Sequence, residues 1–143
     1  MRSFLMILAL CCCALQSSAQ DRRIEGVPGG PLYQANPFWL KPLPNQWILG
    51  QVAGVAIDRQ NHVWIVHRGA STLHFNELAL TNKVGECCAS APPVLEFDEN
   101  GNFLRGWGGP GAGYDWPETE HGIYADPRGF IWIGGNGVTD NHL

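Results

Sequence analysis

His121 and the carboxylates just before it are the residues whose types and spacing best suit chemistry. Glu120 directly precedes His121, and Glu118 lies two positions further back. A carboxylate so close in sequence can orient an imidazole or join the same site. The alternative is a histidine that only hydrogen-bonds to neighbouring backbone. The sequence therefore marks His121 and Glu120 as site residues, with a purely structural histidine as the competing interpretation.

A second polar pair, His67 and Arg68, directly follows the apolar run Val63-Trp64-Ile65-Val66. At the end of a predicted strand and facing a loop surface, the pair suits the binding of polar or anionic ligands. A solvated rim is the alternative. Trp116 lies in a Gly-rich connector, where it is either a stacking platform for a carbohydrate or part of an aromatic clamp on the connector.

Two adjacent cysteines, Cys87 and Cys88, are the only ones of the five that lie beyond the first twenty residues. In an oxidising compartment, adjacent thiols bond each other or pair with cysteines of another chain. Zinc sites typically separate paired ligands by about two to four residues, so this spacing is not a zinc motif. We predict a disulfide that stiffens a loop, with a redox role as the alternative.

An internal repeat indicates which elements position these residues. The segment 54–65 recurs 68 positions later as 122–133, with identical Gly, Asp, Trp and Ile residues at matching places. Each copy consists of two β-rich runs around a four-residue polar turn, which is the pattern of a hairpin.

The turn of this hairpin, Asp-x-x-Asn/Gly, occurs three times and begins at Asp58, Asp98 and Asp126. An Asp carboxylate accepts backbone N–H bonds across such a turn, and Asn or Gly takes the left-handed conformation that closes it. The three aspartates are therefore predicted to be turn residues rather than metal ligands or catalytic groups. His62 in the first turn and His74 further on are interpreted as merely exposed.

The runs on either side of the turns predict four consecutive antiparallel strands within residues 52–66 and 94–107. A four-stranded meander, a connector and a second identical start are the pattern of β-propeller blades. The predicted fold class is all-β. Its predicted parts are a blade over 47–107 with a loop inserted at 70–93, a connector over 108–120 and the start of the next blade over 121–143.

The composition agrees with this class and excludes others. The 143 residues are 45% hydrophobic and 15% charged, with 18 Gly, 10 Pro and 6 Trp. So much Gly and Pro disfavours a helix bundle, and the apolar content disfavours disorder. A net charge of −4 with nine Lys and Arg provides no basic surface for nucleic acid or an anionic membrane.

The string Gly-hydrophobic-x-x-Asp-x-x-Gly-x-hydrophobic-Trp-Ile resembles the NHL-repeat family of β-propellers. The resemblance covers roughly residues 47–143, and three turns and one connector agree in order. The final Asn141-His142-Leu143 is similar to the triplet that opens a third strand in that family. The chain departs from the pattern at Asn61, which replaces a Gly, and in its inserted loop.

The resemblance implies a six-bladed propeller, of which this chain would hold about one and a half blades as a fragment of a longer protein. Peptidyl-hydroxyglycine amidating lyases, which are propellers of this class, place zinc-ligand histidines at strand entries similar to His121. By that resemblance His121 would bind a metal ion, zinc or calcium, at the central channel. Ala53, at the equivalent position one blade earlier, cannot be a ligand. The run before His67 also resembles streptogramin B lyases, which perform a metal-assisted elimination.

Two classes of function remain open. The first is an exported scaffold whose propeller binds a peptide, protein or glycan, without chemistry and with no certain cofactor. The alternative is a metal-dependent lyase with its active site at the channel. We favour the scaffold, because only one ligand is seen where two blade starts could have shown two.

The N-terminus has the pattern of an export signal. Arg2 precedes an apolar run, and small residues at 17–19 close it. We predict a signal peptide over 1–19, cleaved after Ala19, and an N-terminal lead-in over 20–46. The run is short for a bilayer span, so we expect a secreted or periplasmic protein without a stable membrane span after cleavage, an uncleaved anchor being the alternative.

Overall fold

Eight short strands make up the architecture of the part of the chain that the structure describes. The computed structural model describes Gly30 and residues 33–141, so the predicted leader over 1–19 lies outside the described residues. The strands are β1 (Trp47–Ile48), β2 (Gln51–Ile57), β3 (Val63–Arg68), β4 (Ala89–Ser90), β5 (Val94–Phe97), β6 (Phe103–Trp107), β7 (Glu120–Ala125) and β8 (Ile131–Gly135). Helical structure in the described part is confined to a 3₁₀ turn, Pro44–Gln46, and one turn of α-helix, α1 (Gly69–Thr72). The all-β prediction is confirmed at this level.

The central element is a four-stranded antiparallel sheet of order β2-β3-β5-β6. β7 and β8 form a separate antiparallel hairpin. The two copies of the repeat have the same register, because Ala56 pairs with Trp64 as Tyr124 pairs with Trp132. A short parallel pairing of β1 with β4 was not predicted from the sequence.

The β7–β8 hairpin packs on one face of the sheet. Trp64, Val66 and Val94 form a buried cluster there with Ala125 of the hairpin. Three isoleucines of the hairpin, at 123, 131 and 133, pack against the same cluster. Burial of this apolar surface is the main favourable term that holds the two repeats together.

The opposite face of the sheet is covered by the segment that precedes it. Leu95 and Phe97 are fully buried there, and Trp39, Leu43 and Trp47 pack against them. Residues 36–46, which the sequence analysis assigns to a lead-in, thus belong to the packed unit that begins at Asn36.

The described residues form one four-stranded sheet, the β7–β8 hairpin packed on it and the short β1–β4 pair, and the propeller itself remains a prediction. Within the same residues, no helix has the length and apolar character that crossing a bilayer requires.

Candidate functional site

Arg68 joins the two repeats at one end of the sheet. It is the last residue of β3, and its Nε donates a hydrogen bond to the backbone oxygen of Glu120 at 2.8 Å. Its Nη2 lies 3.4 Å from both His121 Nδ1 and Asn136 Oδ1, and its Nη1 lies 3.4 Å from Gln51 Oε1. We call these five residues the Arg68 cluster. The structure thus brings Arg68 next to His121 and Glu120, which the sequence analysis placed in a different candidate site.

His121 is exposed, and the described residues around it do not by themselves form a metal site. A guanidinium can only donate hydrogen bonds and carries a fixed positive charge, so Arg68 beside Nδ1 opposes a cation at that atom. Among the described residues, His121 does not belong to any group of three His, Cys, Asp or Glu side chains that could converge on an ion. The described surroundings therefore disfavour zinc or calcium at Nδ1, and the metal role of His121 stays a prediction.

The expectation that His67 faces a loop surface is wrong. Its side chain is fully buried. Nδ1 accepts the N–H of Gly50 at 3.1 Å, and Nε2 donates to the backbone oxygen of Pro92 at 2.9 Å. These partners assign the neutral tautomer with its proton on Nε2. His67 therefore links β3 to two loops and leaves no ring nitrogen for a ligand.

Burial lowers the pKa of His67 below its usual value of 6.5, because the charged imidazolium is poorly solvated in the interior. The hydrogen bond to Pro92 and the charge of Glu120 act in the opposite direction and raise the pKa, but burial dominates.

Trp116 packs against two other aromatic residues in and next to the connector, and together they form an aromatic clamp. Its ring is nearly perpendicular to those of Trp107 and Tyr114, with centroids 6.4 and 6.5 Å away. Gly108, at φ +93°, passes so close that a Cβ there would lie 2.5 Å from the Trp116 ring. Trp116 Nε1 donates to Glu120 Oε1 at 2.8 Å, so the clamp also orients this buried carboxylate.

A pocket of about 350 Å³ lies beside this clamp, and we call it the Trp116 pocket. Glu118, Glu120, Ser71 and Ser90 supply its polar side chains, and Trp116 with three prolines supplies its apolar wall. Lys, Arg and His are absent from its described lining. Carboxylates and hydroxyls next to an aromatic ring suit a ligand that donates hydrogen bonds and carries positive charge.

The three turn aspartates share one arrangement. In each, Oδ1 accepts the backbone N–H groups of the second and fourth following residues, at 2.8 and 2.9 Å for Asp58, 2.9 and 2.8 Å for Asp98, and 2.8 and 3.0 Å for Asp126. The residues that close the turns, at 61, 101 and 129, all have positive φ. Burial raises the pKa of Asp126, but hydrogen bonds from Phe130 and Arg128 outweigh it and lower the pKa to about 2.

Cys87 and Cys88 form a disulfide with each other in the inserted segment.

A cluster around His62 was missed in the sequence. His62 Nδ1 lies 2.8 Å from Glu96 Oε1 and 3.5 Å from Asp58 Oδ2, at the end of the sheet opposite the Arg68 cluster. The available signal was Glu96 itself, a charged residue between Leu95 and Phe97 in a predicted strand.

No protein-family model matches the chain, and no curated protein matches its sequence. The resemblance to NHL-repeat propellers therefore stays a prediction.

Proposed function

We propose that the chain is part of an exported NHL-type β-propeller that acts as a binding scaffold, and that the Trp116 pocket receives a cationic side chain of a peptide or protein. Two further observations support the propeller. Trp64 is 3% exposed because the β7–β8 hairpin covers it, whereas Trp132, in the same register of the hairpin, is 44% exposed. Tyr124 beside it is 58% exposed. The second repeat thus carries, on an open face, the tryptophan that the first repeat uses for packing.

The lining of the Trp116 pocket carries the binding proposal. Glu120 is buried, and one of its oxygens is held by Trp116, so the carboxylate is fixed before any ligand arrives. Glu118 Oε2 likewise accepts hydrogen bonds from the N–H and hydroxyl of Thr139. Two oriented carboxylates without a basic side chain in the described lining favour a Lys or Arg side chain of the partner.

The test uses the indole N–H signal of Trp116 in the NMR spectrum of the full chain. The probes are N-acetyl-lysine methylamide, the matching arginine compound and a neutral chitin oligosaccharide. We expect the two cationic probes to shift the signal in a saturable way at millimolar concentration, and added salt to weaken the effect.

Glu120→Gln keeps an oxygen for the Trp116 indole but removes the charge, so it should abolish the shift. Glu99→Gln, at an exposed turn, is the control and should leave it unchanged. A shift caused by the oligosaccharide alone would overturn the cationic ligand, and no shift with any probe would overturn the pocket.

A further inference from the structure

Three potential metal-binding side chains converge where the β2–β3 turn meets β5. Asp58, His62 and Glu96 each offer one ligand atom, and these atoms all lie within 4.8 Å of one another. His62 Nδ1 is 2.8 Å from Glu96 Oε1 and 3.5 Å from Asp58 Oδ2. Tetrahedral zinc with bonds of about 2.0–2.2 Å separates its ligand atoms by about 3.4 Å, so small movements would suffice.

The turn itself does not require His62. The corresponding place, four residues after the aspartate, is Asn102 in the second turn and Phe130 in the third. Both of those turns close with the same backbone hydrogen bonds as the first. The histidine therefore serves something other than the turn.

Glu96 is equally unnecessary for the strand that carries it. The residue is 5% exposed, and the other three residues of β5 are buried and apolar. A carboxylate at such a place is costly unless positive charge or hydrogen bonds compensate it. His62 Nδ1 lies within hydrogen-bond distance of Glu96 Oε1, and Arg105 Nε donates a hydrogen bond to Glu96 Oε2.

The oxygens of both carboxylates are also oriented by donors. Trp64 Nε1 donates to Asp58 Oδ2 at 2.9 Å, and Arg105 holds Glu96 through the oxygen that does not face His62. Metal-binding carboxylates are commonly held by such hydrogen bonds. Each carboxylate oxygen has two lone pairs, so Asp58 Oδ2 and Glu96 Oε1 still have one to offer.

We propose that Asp58, His62 and Glu96 form a Zn²⁺ site. One imidazole nitrogen with two carboxylate oxygens suits zinc, whereas Mg²⁺ and Ca²⁺ prefer oxygen alone. All three residues line a cleft of about 320 Å³, and the guanidinium groups of Arg59, Arg105 and Arg128 in its lining favour an anion as the fourth ligand. Zn²⁺ binding at Nδ1 requires the tautomer of His62 that carries its proton on Nε2. The site is independent of the Trp116 pocket, which lies at the other end of β3.

The test titrates the metal-free full chain with Zn²⁺ in competition with a chromophoric chelator. We expect one Zn²⁺ per chain and a melting temperature that rises with Zn²⁺, because the ion binds the folded state. Mg²⁺ and Ca²⁺ should produce neither effect. His62→Asn, which installs the residue found at Asn102, should fold normally and bind more than about 10-fold more weakly.

His74→Asn is the matched control, because His74 is exposed in the inserted segment and lies outside the cluster. It should bind Zn²⁺ as the unchanged chain does. Absence of saturable binding would identify the cluster as an ion-pair network only and overturn the site. Equal affinity in His62→Asn, or a loss in His74→Asn, would overturn it as well.

Discussion

The buried His67 should make the stability of the protein depend on pH. Its pKa in the folded chain is below 6.5, and in the unfolded chain it returns to about 6.5. Between these two values the unfolded chain binds a proton that the folded chain does not. The free energy of unfolding therefore falls as the pH decreases from 6.5 towards the folded pKa, and the loss ends below that pKa because both states are then protonated.

The size of the effect follows from a single proton. One group contributes at most about 1.4 kcal/mol per pH unit, so lowering the pH from 6.5 to 5.5 costs up to about 1.4 kcal/mol through His67. Protonation of Nδ1 would also break the hydrogen bond from Gly50. The turn aspartates do not contribute in this range, since their pKa values lie below 3.8.

The assay is urea unfolding of the full chain at pH 7.5, 6.5 and 5.5, followed by tryptophan fluorescence, for the unchanged protein and for His67→Gln. The variant leaves one buried partner unsatisfied, which costs about 1–3 kcal/mol at pH 7.5. Because it cannot be protonated, its deficit should shrink at pH 5.5. The other histidines cancel in this comparison. Parallel pH profiles, or a His67 pKa of 6.5 or higher in an NMR titration, would refute the reasoning.

Three further predictions compare matched positions. Gly101→Ala should lower the free energy of unfolding by more than about 2 kcal/mol, because the new Cβ would lie 1.7 Å from a backbone carbonyl oxygen. Gly129→Ala has open space around the new Cβ and should lose only about 1 kcal/mol, the cost of an alanine in the left-handed conformation. Thermal unfolding measures both losses, and equal losses would contradict the prediction. In urea unfolding, Trp64→Phe should lower the free energy of unfolding by about 1–2 kcal/mol and Trp132→Phe by less than about 1 kcal/mol, since only the Trp64 ring is covered. A larger loss for Trp132→Phe would contradict this prediction. Asp126→Asn should lower the melting temperature at pH 7, where the low pKa of the carboxylate stabilises the fold, and the deficit should vanish as the pH falls from 3.8 to about 2; a constant deficit would argue against this.

The hairpins and turns could be predicted from the sequence because their determinants are local. Asp58 and Asn61 lie within one turn, and their hydrogen bonds depend on four or five consecutive residues. The same holds for the strands, which begin and end within a few residues of the predicted runs at 52–66 and 94–107. An internal repeat strengthens such a prediction, because the same local sequence pattern occurs twice and predicts the same hairpin each time.

The burial of His67 could not be predicted in this way. A histidine at a strand end is usually expected near solvent, and its enclosure here depends on Pro92, which is 25 residues away in the chain. The Trp116 pocket has the same origin, since Ser71 and Ser90 come from the inserted segment and Glu120 from the second repeat. Contacts between such distant segments leave no periodic signal in the sequence.

The two copies of the repeat differ in what their matching residues touch. A Cβ on Gly54 would lie 3.1 Å from Ile123, so this glycine lets β7 approach β2 closely. Gly122 occupies the same place in the second copy, where nothing described lies within 4 Å of such a Cβ. Trp64 and Trp132 differ in the same sense, one covered and one 44% exposed. A glycine and a tryptophan that serve packing in the first copy thus recur on an open face in the second. The open glycine and tryptophan of the second copy, more than the turns, are the physical reason to propose that a further repeat packs on the β7–β8 hairpin.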